Sequence, residues 1–202
     1  MIVIIDYGVG NLFSLSSSLK SIGANVVISS DKDVIRSADK IILPGVGAFG
    51  DASDKLYGSG LAGVVIEQAN KGVPLLGICL GMQLLLEKSY EYGEHKGLGL
   101  IKGEIRPIGE VIPQEYKIPQ IGWNALKFTQ NKTNLFKYIK EGDYVYFVHS
   151  FYGANCDESV IATTEYGATL TAAVGYKNVY GCQFHPEKSG KVGLEILRAF
   201  CE

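Results

Sequence analysis

The sequence predicts an α/β domain, with a parallel sheet covered on both faces and antiparallel strands added in its second half. Three observations carry this. Short β-branched runs alternate with helical stretches through the first half. Those runs are mostly apolar and do not alternate, which marks strands buried on both faces. In the second half, strand-like runs follow one another with little helix between them.

The elements follow in order. IVII (2–5) is a strand. Asn11 can cap a helix that runs to Gly23, where a glycine suits a left-handed stop. NVVIS (25–29) is a second strand, Asp31 begins a short helix, and KIIL (40–43) is a third strand ending at Pro44. Residues 61–71 read as a helix stopped by Gly72, PLLGI (74–78) as a fourth strand, and 80–88 as a helix. DASDKLYGSG (51–60) is a poor helix start. The runs GLIKGEIRPI, QIGWNALKF, DYVYFVHSF and SVIATTEY read as strands, and LTAAVGYKNVYGCQF as a hairpin turning near Lys177-Asn178. A helix over 191–200 closes the chain. No linker or repeat interrupts it, so one domain over 1–202 is expected.

Composition narrows the function. The net charge is -2, from 19 basic and 21 acidic residues, and no basic run exists. That argues against nucleic acid or an anionic membrane as partner. The first apolar run is too short for a signal peptide, and no stretch reaches transmembrane length. Cys79, Cys156, Cys182 and Cys201 form no C-x-x-C pair and read as reduced thiols of a cytosolic protein. His95, His149 and His185 leave little material for a metal site, and no cofactor is expected.

The stretch VPLLGICLGMQLLL (73–86) carries the chemistry. Cys79 follows a strand and opens a helix, with Gly77 and Gly81 on either side. This is the setting of a nucleophile elbow, with cysteine in place of serine. The glycines remove side chains that would collide in the sharp turn. The helix N-terminus favours a thiolate, and the backbone N–H of Leu80 would face an oxyanion beside the sulfur. A free cysteine is commonly buried as a small apolar group; the glycines and the strand–helix junction favour the elbow.

A thiolate nucleophile needs a base and a group to orient it. His185, in QFHPE, lies at a strand end, and Glu187 two residues on can hold its imidazole. His149, in YVYFVHS, suits core or binding use better, and His95 reads as solvated. GVGAFG (45–50) matches G-x-G-x-x-G, but alone this is a weak dinucleotide signal. GVGN (8–11) lacks the third glycine. Both loops fall at the carboxyl ends of parallel strands, on the edge of Cys79, and read as walls of its site. In Pro44-Gly45-Val46-Gly47 the glycines permit backbone angles that valine resists, so a peptide there has two orientations open to it.

PGVGAF, LLGICLGMQLL, IPQIGWN, YVYFVHSFY and GCQFHPEKSG together resemble the class I (triad) glutamine amidotransferases. Within that class, IIDYGVGN, the WN after IPQIG, and HPEKSG resemble the glutaminase subunits of imidazole glycerol phosphate synthase. The resemblance runs from the first strand to the last helix. It implies a flavodoxin-like, three-layer α/β/α sandwich around a mixed, mostly parallel sheet. It implies that Cys79, His185 and Glu187 form a triad that hydrolyses L-glutamine through a glutamyl thioester. By the same resemblance Val46, Gly47 and Leu80 form the oxyanion hole. Gln83 and the segment His149-Ser150-Phe151 bind glutamine. Asn11, Trp123, Tyr146 and Lys188 face a separate cyclase subunit, which takes the ammonia; the residues alone favour Trp123 as a core tryptophan. The chain itself leaves no room for a second catalytic domain. A gamma-glutamyl hydrolase, a cysteine peptidase-like enzyme, or a glutaminase serving another synthase shares the elbow and the HPE triplet.

Overall fold

The computed structural model describes residues 1–129 and 133–202. The first half runs β1 (Ile2–Ile5), α1 (Leu12–Ser21), β2 (Val26–Ser29), α2 (Lys32–Arg36), β3 (Lys40–Leu43), α3 (Phe49–Gly58), α4 (Leu61–Asn70), β4 (Leu75–Ile78) and α5 (Leu80–Leu85). The strands β5 (Lys88–Ser89), β6 (His95–Lys96), β7 (Glu104–Pro107), β8 (Gln120–Ala125), β9 (Lys127–Phe128), β10 (Tyr144–His149) and β11 (Phe151–Ala154) follow. The chain ends with β12 (Val160–Glu165), β13 (Thr169–Tyr176), β14 (Val179–Cys182) and α6 (Gly190–Cys201).

Among the described residues, eight strands form the central sheet, in the order β2-β1-β3-β4-β14-β13-β12-β9. The pairings from β2 across to β14 are parallel, and those from β14 to β9 are antiparallel. The sheet is therefore mixed and mostly parallel, as expected. Its apolar strands divide their side chains between two cores. Val3, Ile5, Ile41, Leu43 and Leu75 face Phe49, Leu56, Leu61 and Val65 of α3 and α4. Ile2, Ile4, Ile42 and Leu76 face Leu15 and Leu19 of α1 and Ile196 and Leu197 of α6. That is three layers, with burial on both faces of every central strand. Two smaller sheets flank it, a β8–β10 ribbon and the group β11-β7-β5-β6.

Local signals placed most ends. Asn11 caps α1 through its side-chain oxygen, which accepts the Ser14 N–H, and Gly23 takes φ +81° beyond it. Asp31 accepts the N–H groups of Asp33 and Val34 at the start of α2. The β13–β14 hairpin turns at Lys177-Asn178, with Tyr176 opposite Val179.

Three expectations are corrected. Residues 49–58 are helical, although DASDKLYGSG reads as a poor start. Ala48 offers no side-chain cap, but the Glu91 carboxylate accepts the Phe49 N–H at 2.8 Å from far along the chain. The helix expected over 80–88 ends at Leu85. Leu86 turns extended, and the Glu87 N–H goes to the Gly103 carbonyl, which leads the chain into β5. His95 is half-buried, not solvated: its ring lies over Gly50, where an added Cβ would sit 2.7 Å from its Cε1.

The elbow glycines have a packing reason. A Cβ at Gly81 would lie 1.9 Å from the Leu43 carbonyl oxygen, and one at Gly77 would lie 2.6 Å from the Gly81 oxygen. Strand, turn and helix approach so closely that only hydrogen fits. Gly81→Ala is therefore expected to push α5 off β3, at a cost of about 1–3 kcal/mol or more. Thermal unfolding should show a melting temperature several degrees lower. An unchanged melting temperature would mean that the turn has slack.

Candidate active site

The site grows from one strand pairing. β4 and β14 run parallel, with Ile78 opposite Cys182. The next residues of the two strands, Cys79 and Gln183, are thus neighbours, and the Cys79 N–H donates to the Cys182 carbonyl at 2.7 Å. Cys79 then turns sharply, at φ 54° and ψ −112°, before α5 begins. A side chain in that backbone region carries strain, which the surrounding packing must hold in place. Cys79 is largely buried, at 8% exposure, rather than an exposed elbow; what remains open faces a cavity.

His185 lies two residues beyond Gln183. Its backbone N–H donates to the Tyr146 carbonyl at 2.9 Å, and the Ser189 hydroxyl donates to its carbonyl at 2.6 Å. The same hydroxyl accepts the Tyr146 N–H, which fastens the HPEKS turn to β10. His185 Nδ1 lies 2.7 Å from Glu187 Oε1, both side chains being almost fully buried. Cys79 lies close enough to the imidazole to favour its charged form. Burial works against the charged ring, yet its interactions with Cys79 and Glu187 outweigh it and raise the His185 pKa to about 9. At neutral pH the site thus holds an imidazolium between a sulfur and a carboxylate. The other Glu187 oxygen, Oε2, has no hydrogen-bond partner among the described residues.

The other histidine of the site goes the opposite way. His149 Nδ1 lies 2.7 Å from the Phe151 carbonyl and Nε2 3.0 Å from Gln120 Oε1. Burial lowers its pKa to about 4; the Phe151 carbonyl favours the charged ring but is outweighed, and nearby His185 lowers it further. Burial thus works against charge on His149, whereas His185 keeps its charge. Burial also raises the other three thiols, Cys156 to about 11, and Cys182 and Cys201 likewise upward.

A cavity of about 350 Å³ opens above the sulfur. Val46, Gly47 and Leu80 form one wall, and Gln83, His149, Ser150 and Phe151 another. Gly47 sits at φ +93°, with open space where a Cβ would be. Beneath this loop the buried Tyr7 hydroxyl donates to the Pro44 carbonyl at 2.7 Å. Burial, and then the neighbouring Cys79, hold that phenol protonated. Among the described residues, no group of three or more His, Cys, Asp or Glu could hold a metal ion.

The expected site residues therefore converge, apart from Asn11, Trp123 and Tyr146, which lie outside the cavity. Lys188 reaches its rim. Sequence reasoning missed Glu91, Tyr92 and Pro119, which also line it, and Tyr7 and Gln183 beneath it. None of them carried a local signal; the register of β4 with β14 is what sets Gln183 beside Cys79.

A buried cysteine at a strand–helix elbow, paired with a histidine that a carboxylate holds, on a parallel sheet edge, defines a cysteine-dependent hydrolase site. The chain matches the family model for glutamine amidotransferase class-I over residues 3–202, and it belongs to that family. It is 49% identical over 204 residues to the imidazole glycerol phosphate synthase subunit HisH of Wolinella succinogenes, covering 100% of this chain and 99% of the relative. The protein of the same name from Aquifex aeolicus is 50% identical over 200 residues, covering 98% and 94%. Among solved structures the fold is similar to a crystal structure of glutamine amidotransferase, at a TM-score of 0.75 and 18% identity over 99% of both chains. It is also similar to the glutaminase domain of Trypanosoma brucei CTPS with bound acivicin, at 0.68 and 15% identity over 98% and 92%.

The two histidines give opposite pH dependences. His149 is lowered from 6.5 to about 4, so its contribution to stability is present above 6.5 and lost as pH falls through 4, on the order of 3 kcal/mol in all. His185 is raised to about 9, so its contribution is present below 6.5 and lost as pH rises through 9. Urea midpoints across pH should show both slopes. His149→Gln should flatten the acid slope and leave the alkaline one; an unchanged acid slope would assign it to other groups.

Proposed function

We propose that this chain is the glutaminase subunit of imidazole glycerol phosphate synthase. It hydrolyses L-glutamine and passes ammonia to a separate cyclase subunit of histidine biosynthesis. The reading takes 1–202 as a single glutamine amidotransferase domain working in the cytoplasm. Among the described residues, no helix is long and apolar enough to cross a membrane. One observation carries the reading: relatives of that name align along this whole chain, and its Cys79 and His185 line one cavity, with Glu187 holding the imidazole at 2.7 Å.

The geometry suits the chemistry. The Cys79 sulfur attacks the carboxamide carbon, and the oxygen becomes an oxyanion that backbone N–H groups of Leu80 and of Val46 or Gly47 receive. His185, already protonated, gives its proton to the departing nitrogen, so ammonia leaves and a glutamyl thioester remains. The now neutral imidazole takes a proton from water, hydroxide attacks the thioester, and glutamate leaves as the sulfur recovers its electron pair. Glu187 holds the ring in register throughout. Gln83 donates both N–H groups inward, to Phe151 and Gln183, so only its carbonyl oxygen is left to accept an N–H from glutamine. The Glu91 carboxylate, at the edge of the cavity, suits the α-ammonium.

An exposed apolar face supports the partner. On the β8–β10 ribbon Trp123 is 51% exposed and meets Tyr146 edge to face at 6.0 Å, with Lys188 over the Tyr146 ring at 5.9 Å. Ile121 and Tyr144 are exposed on the same ribbon, and Phe13 is 81% exposed on α1, beside the Asn11 cap. An open aromatic cluster beside the Lys188 rim of the cavity suits a docked subunit that receives the ammonia.

Two measurements follow. Complexes carrying Cys79→Ala should lose glutamine-dependent synthesis and keep ammonium-dependent synthesis; loss of both in an assembled complex would give Cys79 another role. Trp123→Ala should weaken cyclase binding by about 2 kcal/mol, roughly thirty-fold, in a titration against the purified cyclase. Unchanged affinity, with the isolated chain as active on glutamine as the mixture, would favour a stand-alone hydrolase.

A further inference from the structure

We propose that Gln183 is a further catalytic residue: its side-chain amide donates a hydrogen bond to the Cys79 sulfur and stabilises that sulfur as an anion. The inference rests on Cys79 being the nucleophile, as read above.

The placement comes from the strand register. Gln183 follows the last residue of β14, and Cys79 follows the last residue of β4. Gln183 is fully buried, and its backbone N–H donates to the Ala172 carbonyl at 2.8 Å. Its Nε2 lies 3.8 Å from Cys79 Sγ, and its Oε1 accepts from Gln83 Nε2 at 3.0 Å.

Which end of the amide faces the sulfur is settled at the far end of this chain of contacts. The Phe151 carbonyl can only accept, so Gln83 turns its NH₂ group toward it, at 3.2 Å. The second N–H of that group then meets Gln183. Only an oxygen can receive it, so Gln183 presents its own NH₂ group to Cys79. Reversing Gln183 would set two donors against each other and an oxygen against the sulfur. The Phe151 carbonyl is itself anchored, since it also takes the His149 Nδ1–H at 2.7 Å.

A buried amide costs free energy unless it is hydrogen-bonded, and a leucine would fill this space without that penalty. The amide has a use if the sulfur beside it becomes charged, because hydrogen bonds to an ionised acceptor are roughly twice as strong as neutral ones. His185 interacts favourably with the sulfur in its charged form, and Gln183 supplies a directed donor at 3.8 Å. The bond would form with the attacking thiolate, weaken in the thioester, and return as the thiolate leaves. No proton moves through Gln183. Because Gln83 also lines the cavity, the same amide joins the substrate wall to the nucleophile.

The test uses Gln183→Met, which keeps the length and removes the donor, and Gln183→Glu, which keeps the shape and puts an acceptor beside the sulfur. Both are assembled with the cyclase subunit and treated with iodoacetamide over a pH series, with Cys79 modification followed by mass spectrometry. The methionine variant should alkylate on the order of ten- to a hundred-fold more slowly at neutral pH, the effect of one hydrogen bond to a charged acceptor, with its profile moved to higher pH. Its glutamine kcat should fall by a similar factor with KM little changed. The glutamate variant should be impaired at least as much, and it supplies the readout if the methionine variant does not fold. A wild-type alkylation profile in either folded variant would overturn the proposal, as would a raised KM with an intact kcat. Alkylation needs no glutamine, so a slowed profile in a chain whose parent hydrolyses none would leave this inference standing and remove the glutaminase reading.

Discussion

The parallel pairing of β4 with β14 is the constraint on which the site depends. It sets Cys79 beside Gln183, puts His185 two residues further along the same edge, and ties the Cys79 N–H to the Cys182 carbonyl. A slip of one residue would turn each of these side chains to the opposite face. The strained Cys79 backbone persists because its neighbours leave it no alternative. Gly77, Gly81 and the Leu43 carbonyl pack within distances that exclude even a methyl group. The three-layer fold supports this arrangement by burying β4 on both faces.

Within that frame, surroundings give like groups unlike states. His149 and His185 both reach the cavity, and their environments push them apart, one down to about 4 and the other up to about 9. His149 has a carbonyl and an amide as neighbours, which compensate little for lost water. His185 has a sulfur and a carboxylate, which compensate fully. One histidine is thus fit to hold shape and the other to move a proton. Tyr7, also buried, stays protonated and pins the Pro44 carbonyl just before the loop that would receive the oxyanion.

Much of this was legible in the chain itself, for physical reasons. The strands β1, β3 and β4 are apolar without alternation, the pattern that burial on both faces of a sheet produces. The elbow and the HPE triplet are local, so spacing reveals them. What escaped was non-local. The start of α3 is capped by Glu91, which lies in a different loop, and no window around Ala48 contains that information. The end of α5 is set by Gly103 through the Glu87 N–H. Gln183 gains its meaning from the register of two strands and from two further side chains. The exposure of Trp123 likewise depends on which face of the β8–β10 ribbon the core covers.

The central claim is that Cys79, alone among the four cysteines, attacks the carboxamide of glutamine. It is tested most directly by treating the chain, bound to its cyclase, with a glutamine-like chloroketone and mapping the adduct by mass spectrometry. The account predicts one adduct, on Cys79, formed as glutaminase activity disappears and prevented by excess glutamine. Burial leaves Cys156, Cys182 and Cys201 with raised pKa values. An adduct on any of those three that tracks the loss of activity, with Cys79 unmodified, would contradict it.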